Sequence, residues 1–338
     1  MTDPSGEEPR KPSHWNRLAL VATAALVLAV ICTLPLVVQS LLVELLGAPD
    51  RTLYSLTSDE VVRSLRRSAA AARPGTAVAR PGGYLNVAVT DLDEATRVAT
   101  LHLSGSRTCT AACPSFTLVF ASLDDDVAEH RAMPPSASVT IKDTDRIIDQ
   151  TIRLPTHGQP SLYPFDTYRL WLGIIAYVNS TDGRQVPLHV SDLNDQASIT
   201  LQAQLARLLM QPPVTIDPSS VQSDINPFDF LSVKALTFVR PFYVKALAVL
   251  LVLLITVSGC FAIFLRPIHD LFLGIGGVIL GVWGVRSVIV QGTLPYVTAV
   301  DLALSGVILF LLLALAVRAS RHFHRQSQLH LPRPRLRP

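Results

Sequence analysis

Cys109 and Cys113 are the residues whose type and spacing most directly allow chemistry. They stand four apart in Arg107-Thr-Cys-Thr-Ala-Ala-Cys-Pro114, while the other two cysteines, Cys32 and Cys260, fall in long apolar runs. A disulfide needs Cα atoms within roughly 4.4–6.8 Å, which a tight loop between close cysteines can supply. The pair therefore reads as a local disulfide candidate, with free thiols and a metal site as the alternatives; no His or further Cys sits at ligand spacing beside it. Two acidic runs, Asp91/Asp93/Glu94 and Asp124/Asp125/Asp126/Glu129, lack the spacing of a calcium loop and read as solvated turns. His102, His130, His157 and His189 are scattered, and His322, His324 and His330 sit in a basic tail. The chain carries no nucleophile elbow, phosphate loop, dinucleotide fingerprint or zinc-protease motif. These observations lead to the expectation of no catalytic residue, no cofactor and no metal.

Other polar residues have neighbours that suggest positioning rather than reaction. In Tyr163-Pro164-Phe165-Asp166 the proline fixes the backbone, the rings can be buried, and the carboxylate can accept hydrogen bonds. Arg240-Pro241-Phe242-Tyr243 leads into an apolar run, and Asp166 and Arg240 are candidates for a bidentate pair. Asn226-Pro-Phe-Asp229 repeats part of the first motif, and Leu294-Pro295-Tyr296-Val297-Thr298-Ala299-Val300-Asp301 links two apolar runs. Arg286 and Asp301 fall near the ends of those runs, where charges either pair or snorkel to the interface. Gly274, Gly277, Gly281 and Gly284, spaced three, four and three apart, fall on one helical face that would let another helix approach closely.

The elements that must carry these residues follow from composition. Of 338 residues, 49% are hydrophobic and only 16% charged, against roughly 25% charged in soluble domains. Mean hydropathy is +0.37. A soluble cytoplasmic enzyme, a nucleic-acid-binding domain and a disordered chain are all excluded on this basis. Four apolar stretches predict helices over 18–46, 246–265, 271–290 and 296–317, each close to or above the roughly 20 residues that cross a bilayer. The first is too long for a signal-peptide core and reads as an uncleaved anchor containing Pro35. Arg10, Lys11 and Arg17 precede it, and Arg318, Arg321, Arg325, Arg333, Arg335 and Arg337 follow the last. The positive-inside bias then places both termini in the cytoplasm of a multi-pass cell-membrane protein. The arginine tail also suits anionic lipid headgroups.

Between the first and second apolar runs the periodicity changes. Thr57-Ser-Asp-Glu60 resembles a capping box, which predicts a short helix over 58–72 within a 47–80 linker. From residue 81 to 240 the pattern predicts an extracytoplasmic β-sandwich. Short alternating or apolar runs at 84–89, 97–103, 116–121, 138–142, 147–154, 168–178, 185–190 and 198–202 are punctuated by turn signals. Residues 201–211 are compatible with a helix as well. The expected order is a cytoplasmic N-terminus (1–17), an anchor (18–46), a linker, the sandwich, a three-helix membrane domain (241–317) and a basic cytoplasmic tail (318–338).

The ordered set Tyr163–Asp166, Arg240–Tyr243 and Leu294–Asp301 resembles the Pro-Phe-Asp loop, the Arg-Pro junction and the helix-connecting turn of pentameric ligand-gated ion channels. In those channels a further membrane helix follows, and the pore helix is lined by polar rings, where this chain has glycines. The layout more closely resembles uncharacterised bacterial membrane proteins that include the domain of unknown function 4436 family. That resemblance implies an N-terminal anchor, an outer β-domain bearing Tyr-Pro-Phe-Asp and three C-terminal helices, without an activity. The expectation is a non-enzymatic membrane protein whose outer domain binds, senses or assembles, alone or as a homo-oligomer, with a channel-like subunit as the alternative. Its expected partners are the bilayer and an unidentified extracytoplasmic ligand, and no nucleic acid.

Overall fold

A computed structural model of the chain describes residues 14–46, 52–56, 61–62, 83–108, 114–123, 135–179, 185–188, 198–217, 230–265, 276–277, 279–284, 286 and 297–329. Contacts divide it into a β-rich unit, spanning residues 46–241, and a helical unit.

The β unit holds fourteen described strands: β1 (Leu53–Ser55), β2 (Val61–Val62), β3 (Gly83–Asp93), β4 (Val98–Arg107), β5 (Phe116–Ser122), β6 (Ser136–Ile141), β7 (Ile147–Pro155), β8 (His157–Gly158), β9 (Thr167–Asn179), β10 (Gln185–Pro187), β11 (Ser198–Ala203), β12 (Leu209–Met210), β13 (Val214–Thr215) and β14 (Ser232–Val239). One sheet runs β2-β1-β11-β3-β4-β7; the other runs β12-β14-β9-β5-β6, with β8 and β10 pairing β9 and β13 pairing β14. A single apolar core takes Val87, Leu101, Leu103 and Leu201 from the first sheet and Leu118, Phe120, Leu170, Leu172, Leu236 and Phe238 from the second. Along β4 burial alternates in period two, as expected of a strand with one face toward a core. The middle of β9 is buried on consecutive positions: β5 and β14 flank it, one face meets the main core, and Leu123 and Phe230 pack on the other at Gly173.

The expected strands at 84–89, 97–103, 116–121, 138–142, 147–154, 168–178 and 198–202 all lie within or within a residue of observed ones. Of the expected strand at 185–190, β10 covers 185–187 and 189–190 lie outside the described residues. One expectation is corrected, one open alternative is resolved and one strand is added. Val61 and Val62, placed in a helix over 58–72, form β2 against Leu53 and Tyr54 of β1; two adjacent β-branched residues fit a pleated edge better than a helix. The sheet therefore starts at β1, inside the segment assigned to a linker. Residues 201–211 hold no helix: β11 has hydrogen-bonding neighbours on both sides, antiparallel β1 and parallel β3. Finally, β14 was not anticipated. Lys234 interrupts its apolar pattern, but β13 covers that position, and Lys234 Nζ donates to Thr215 Oγ1 at 2.6 Å.

The helical unit holds α1 (His14–Leu46), α2 (Phe242–Leu265) and α3 (Ala299–Leu329). Residues 276, 277, 279–284 and 286 are also helical. Among the described residues, α2 and α3 are long and apolar enough to cross a membrane. Helix α2 begins four residues earlier than expected, straight after Pro241, whose missing N–H costs nothing at a helix start. Helix α3 does not end at 317; it runs on through Arg318, Arg321, His322 and His324 to Leu329, because no proline intervenes before Pro332. It starts at Ala299 rather than 296 because Thr298 caps it. Thr298 N–H and Oγ1 each donate to Asp301 Oδ2 at 3.0 Å, while Asp301 N–H donates to Thr298 Oγ1 at 3.3 Å. This is a reciprocal capping box with Asp in place of Glu.

Candidate functional site

The β unit buries an ion pair where β14 ends. β9 and β14 are antiparallel with Thr167 opposite Val239. One step beyond that last pair, Asp166 and Arg240 face each other. Arg240 Nε donates to Asp166 Oδ1 at 3.1 Å and to Oδ2 at 3.2 Å, and its terminal Nη2 donates to Oδ2 at 3.0 Å. Asp166 is fully buried and Arg240 is 4% exposed. The same Nη2 also pairs with a second carboxylate, Glu94 Oε2. The Tyr163 ring lies under the guanidinium, with Arg240 Cζ 4.8 Å from its centroid, close enough for cation–π attraction.

Three segments converge to build this cluster. The first is the β3–β4 turn. Asp93 Oδ1 accepts Ala95 N–H at 2.9 Å and Thr96 N–H at 3.1 Å, and Arg97 takes a positive φ of 54°. The carbonyl of Arg97 accepts both Thr156 N–H and Thr156 Oγ1–H at 2.8 Å, which ties the turn to the end of β7. Burial alone would raise the Asp93 pKa, but bonds from the Thr96 hydroxyl and the two amides outweigh it and hold the carboxyl below its ordinary value. The second segment is a short 3-10 turn, Pro160–Leu162. There Tyr163 N–H donates to Pro160 O at 3.1 Å and Phe165 N–H to Leu162 O at 2.7 Å, and the Tyr163–Pro164 peptide is cis. The third is the end of β14 itself.

Tyr168 closes the cluster from the core side. It is fully buried. Burial first, then the Asp166 and Glu94 charges, push its pKa well above the usual tyrosine value. Its ring lies flat on Gly158: a Cβ there would sit 2.2 Å from Tyr168 Cδ1. Burial also raises Tyr163, with Arg240 pulling the other way. For Arg240 itself burial opposes the charge, and the Asp166 and Glu94 carboxylates more than offset it, so its pKa stands above the ordinary value. One cation is thus held between two anions and an aromatic face. These groups satisfy one another, so the arrangement fastens segments together and presents no nucleophile or general base.

Glu94 was missed, since in sequence it is one of three acidic residues in an apparently solvated turn. Nothing local separates it from Asp91; the fold turns it inward. Arg107 was missed as well. It is 8% exposed, its Nε donates to Asp145 O and its Nη1 to Pro114 O, both at 2.7 Å, and its Nη2 bonds Lys142 O. The guanidinium stacks 5.5 Å from the Phe116 centroid. Arg107 thereby clamps both flanks of the segment bearing Cys109 and Cys113. Those two cysteines lie outside the described residues, as do Gly274, Pro295, Tyr296 and the Asn226–Asp229 motif.

In the helical unit, Arg286 Nε donates to Asp301 Oδ1 at 2.5 Å, so Asp301 both caps α3 and holds Arg286. The expected glycine face is described only in part, at Gly277, Gly281 and Gly284. Cβ atoms built at Gly277, Gly281 and Gly284 meet nothing within 4 Å; the close packing falls instead at Gly259 of α2, where a Cβ would lie 2.6 Å from Leu311 Cδ2 of α3. Bulky Leu311 occupies the room that Gly259 leaves. No group of three or more His, Cys, Asp or Glu side chains able to hold a metal ion occurs among the described residues.

The fold and site define a β-sandwich domain whose last strand passes through a buried Arg–carboxylate cluster into an apolar helix. Residues 74–207 match the family model described as "Domain of unknown function (DUF4436)", so the resemblance to that family holds across that stretch. The match includes Glu94 and Tyr163–Asp166 and ends before Arg240. No curated protein matches the chain.

Proposed function

We propose that this chain is a non-enzymatic, multi-pass membrane protein with both termini cytoplasmic, whose extracytoplasmic β-sandwich serves as a binding, sensory or assembly module. The observation that carries this reading is the Asp166–Arg240–Glu94 cluster. It joins the β3–β4 turn, the loop before β9 and the end of β14 at a residue from which only Pro241 separates α2. Whatever displaces the turn or the loop acts on the chain at the root of that helix. Helix α3 supports the membrane reading: its 31 residues span roughly 46 Å at 1.5 Å per residue, against a hydrocarbon core of about 30 Å. Its basic end then stands in the cytoplasmic headgroup layer, where it would meet anionic lipid.

A channel-like subunit is the second reading. It is favoured by one observation: the first two motifs that carry the resemblance to pentameric channels meet in a single cluster through Asp166 and Arg240. Topology and mass test both. A cysteine placed at Ile147 should react with an impermeant maleimide from outside intact cells, and one at Gln328 should not; labelling at Gln328 overturns the topology. Light-scattering mass in detergent then separates the readings. A pentamer favours the channel-like subunit, and a monomer or dimer favours the module.

A further inference from the structure

From the geometry of the β unit we infer that its Arg240 end is a membrane-contacting foot that seats the sandwich on the lipid headgroup layer. The inference rests on the membrane reading above. Large apolar side chains are exposed at this end: Leu162 is 46%, Phe165 52% and Leu209 49% exposed. Each is tied to the Arg240 cluster. Leu209 pairs with Val239, the residue before Arg240. Phe165 precedes Asp166, which holds Arg240 bidentately. Leu162 accepts the Phe165 amide hydrogen at 2.7 Å. Leu162 and Phe165 thus stand on a hydrogen-bonded turn that leads into the buried ion pair, and Leu209 on a strand paired beside its other end.

Isolated apolar side chains on a surface need no explanation, but several grouped on one end do. Chain connectivity identifies the occupant. Between Val239, the last residue of β14, and Phe242, the first of α2, lie only Arg240 and Pro241. Three residue steps reach at most roughly 10 Å, so a bilayer crossed by α2 comes within that distance of the strand end. Aromatic and aliphatic side chains at that depth gain from the headgroup–acyl boundary. The exposed Arg207 lies two residues before Leu209 in the chain, and a guanidinium there suits lipid phosphate.

The test uses the full chain, with all four native cysteines replaced by alanine, in phosphatidylcholine–phosphatidylglycerol vesicles. Single cysteines replace Leu162, Phe165, Leu209 or Ile147 and carry an environment-sensitive fluorophore. Ile147 is the control: it is 79% exposed and apolar. It pairs with Ser106, eight positions along β4 from the Val98–Pro155 pair beside the Glu94 turn, a distance of roughly 26 Å. Labels at Leu162, Phe165 and Leu209 should shift to shorter emission wavelength. They should lose at least half their intensity to nitroxide-bearing lipid and ignore aqueous iodide, while Ile147 does the reverse. Iodide quenching at Phe165 equal to that at Ile147 overturns the foot. Shielding of Phe165 from both quenchers also overturns it, by showing that protein, such as a second copy, covers that end. Extraction of the chain from the vesicles by alkaline carbonate marks failure of the membrane reading itself, and the foot falls with it.

Discussion

Asp166 and Arg240, 74 residues apart in sequence, form a bidentate ion pair with both side chains withdrawn from solvent. The β9–β14 register sets them opposite each other one step past Thr167 and Val239. Glu94 arrives from the other sheet and shares the same guanidinium. A buried pair of this kind adds little net stability over an apolar substitute, but losing one partner strands the other charge in a dry site. The cluster thus acts as a strict requirement on how three segments meet.

That asymmetry yields the first prediction. Asp166→Asn and Arg240→Gln should each cost about 3–5 kcal/mol, the usual range for breaking a buried pair. The double variant should cost clearly less than the sum. Denaturation of the purified protein in detergent gives the coupling energy; strict additivity would mean the two groups do not interact.

Glu94 should matter less. Its side chain is 18% exposed, so water compensates part of the loss, and Asp166 still neutralises Arg240. Glu94→Gln should cost about 1.5–3 kcal/mol, the range for hydrogen bonds to charged groups. A loss equal to that of Asp166→Asn in the same denaturation assay would place Glu94 on a par with the primary partner.

Asp93 sets a pH dependence. Its folded-state pKa is lowered from 3.8, so the folded state binds its proton less readily than the unfolded state. The stabilisation is present in full above the unfolded value and disappears as pH falls below 3.8 through the folded value. Because the side chain is exposed, the effect should be about 1 kcal/mol or less. Denaturation midpoints of the native chain and of Asp93→Asn should converge in acid and separate toward neutral pH. A constant gap across the range would remove the carboxylate from this role.

The glycines give a steric prediction. Gly158→Ala would drive a Cβ to 2.2 Å from the Tyr168 ring. An overpacked site of this kind costs about 1–3 kcal/mol, so the variant should melt earlier. Gly281→Ala meets open space and should leave the melting temperature of the monomer unchanged. Equal shifts at the two positions would contradict the packing described.

Local sequence signals already marked the β character of the middle of the chain, most strand positions and the apolar α2 and α3. Period-two alternation, turn residues and long uncharged runs are local signals, and core burial and helix formation follow from them. The sequence also singled out Asp166 and Arg240 as partners, since a Pro-Phe-Asp turn and an Arg-Pro helix entry are local motifs. Packing between distant segments is what brings Glu94 into the cluster and leaves Asp91 out, makes Val61–Val62 extend a sheet, and sets Lys234 within a strand paired by β13. Each of those outcomes depends on which backbone lies alongside, and strand register between distant segments leaves no mark in local composition. The same reason makes the close packing of α2 on α3 at Gly259 illegible in sequence. A glycine's spacing shows where a helix is thin, and only the neighbouring Leu311 shows where that thinness is used.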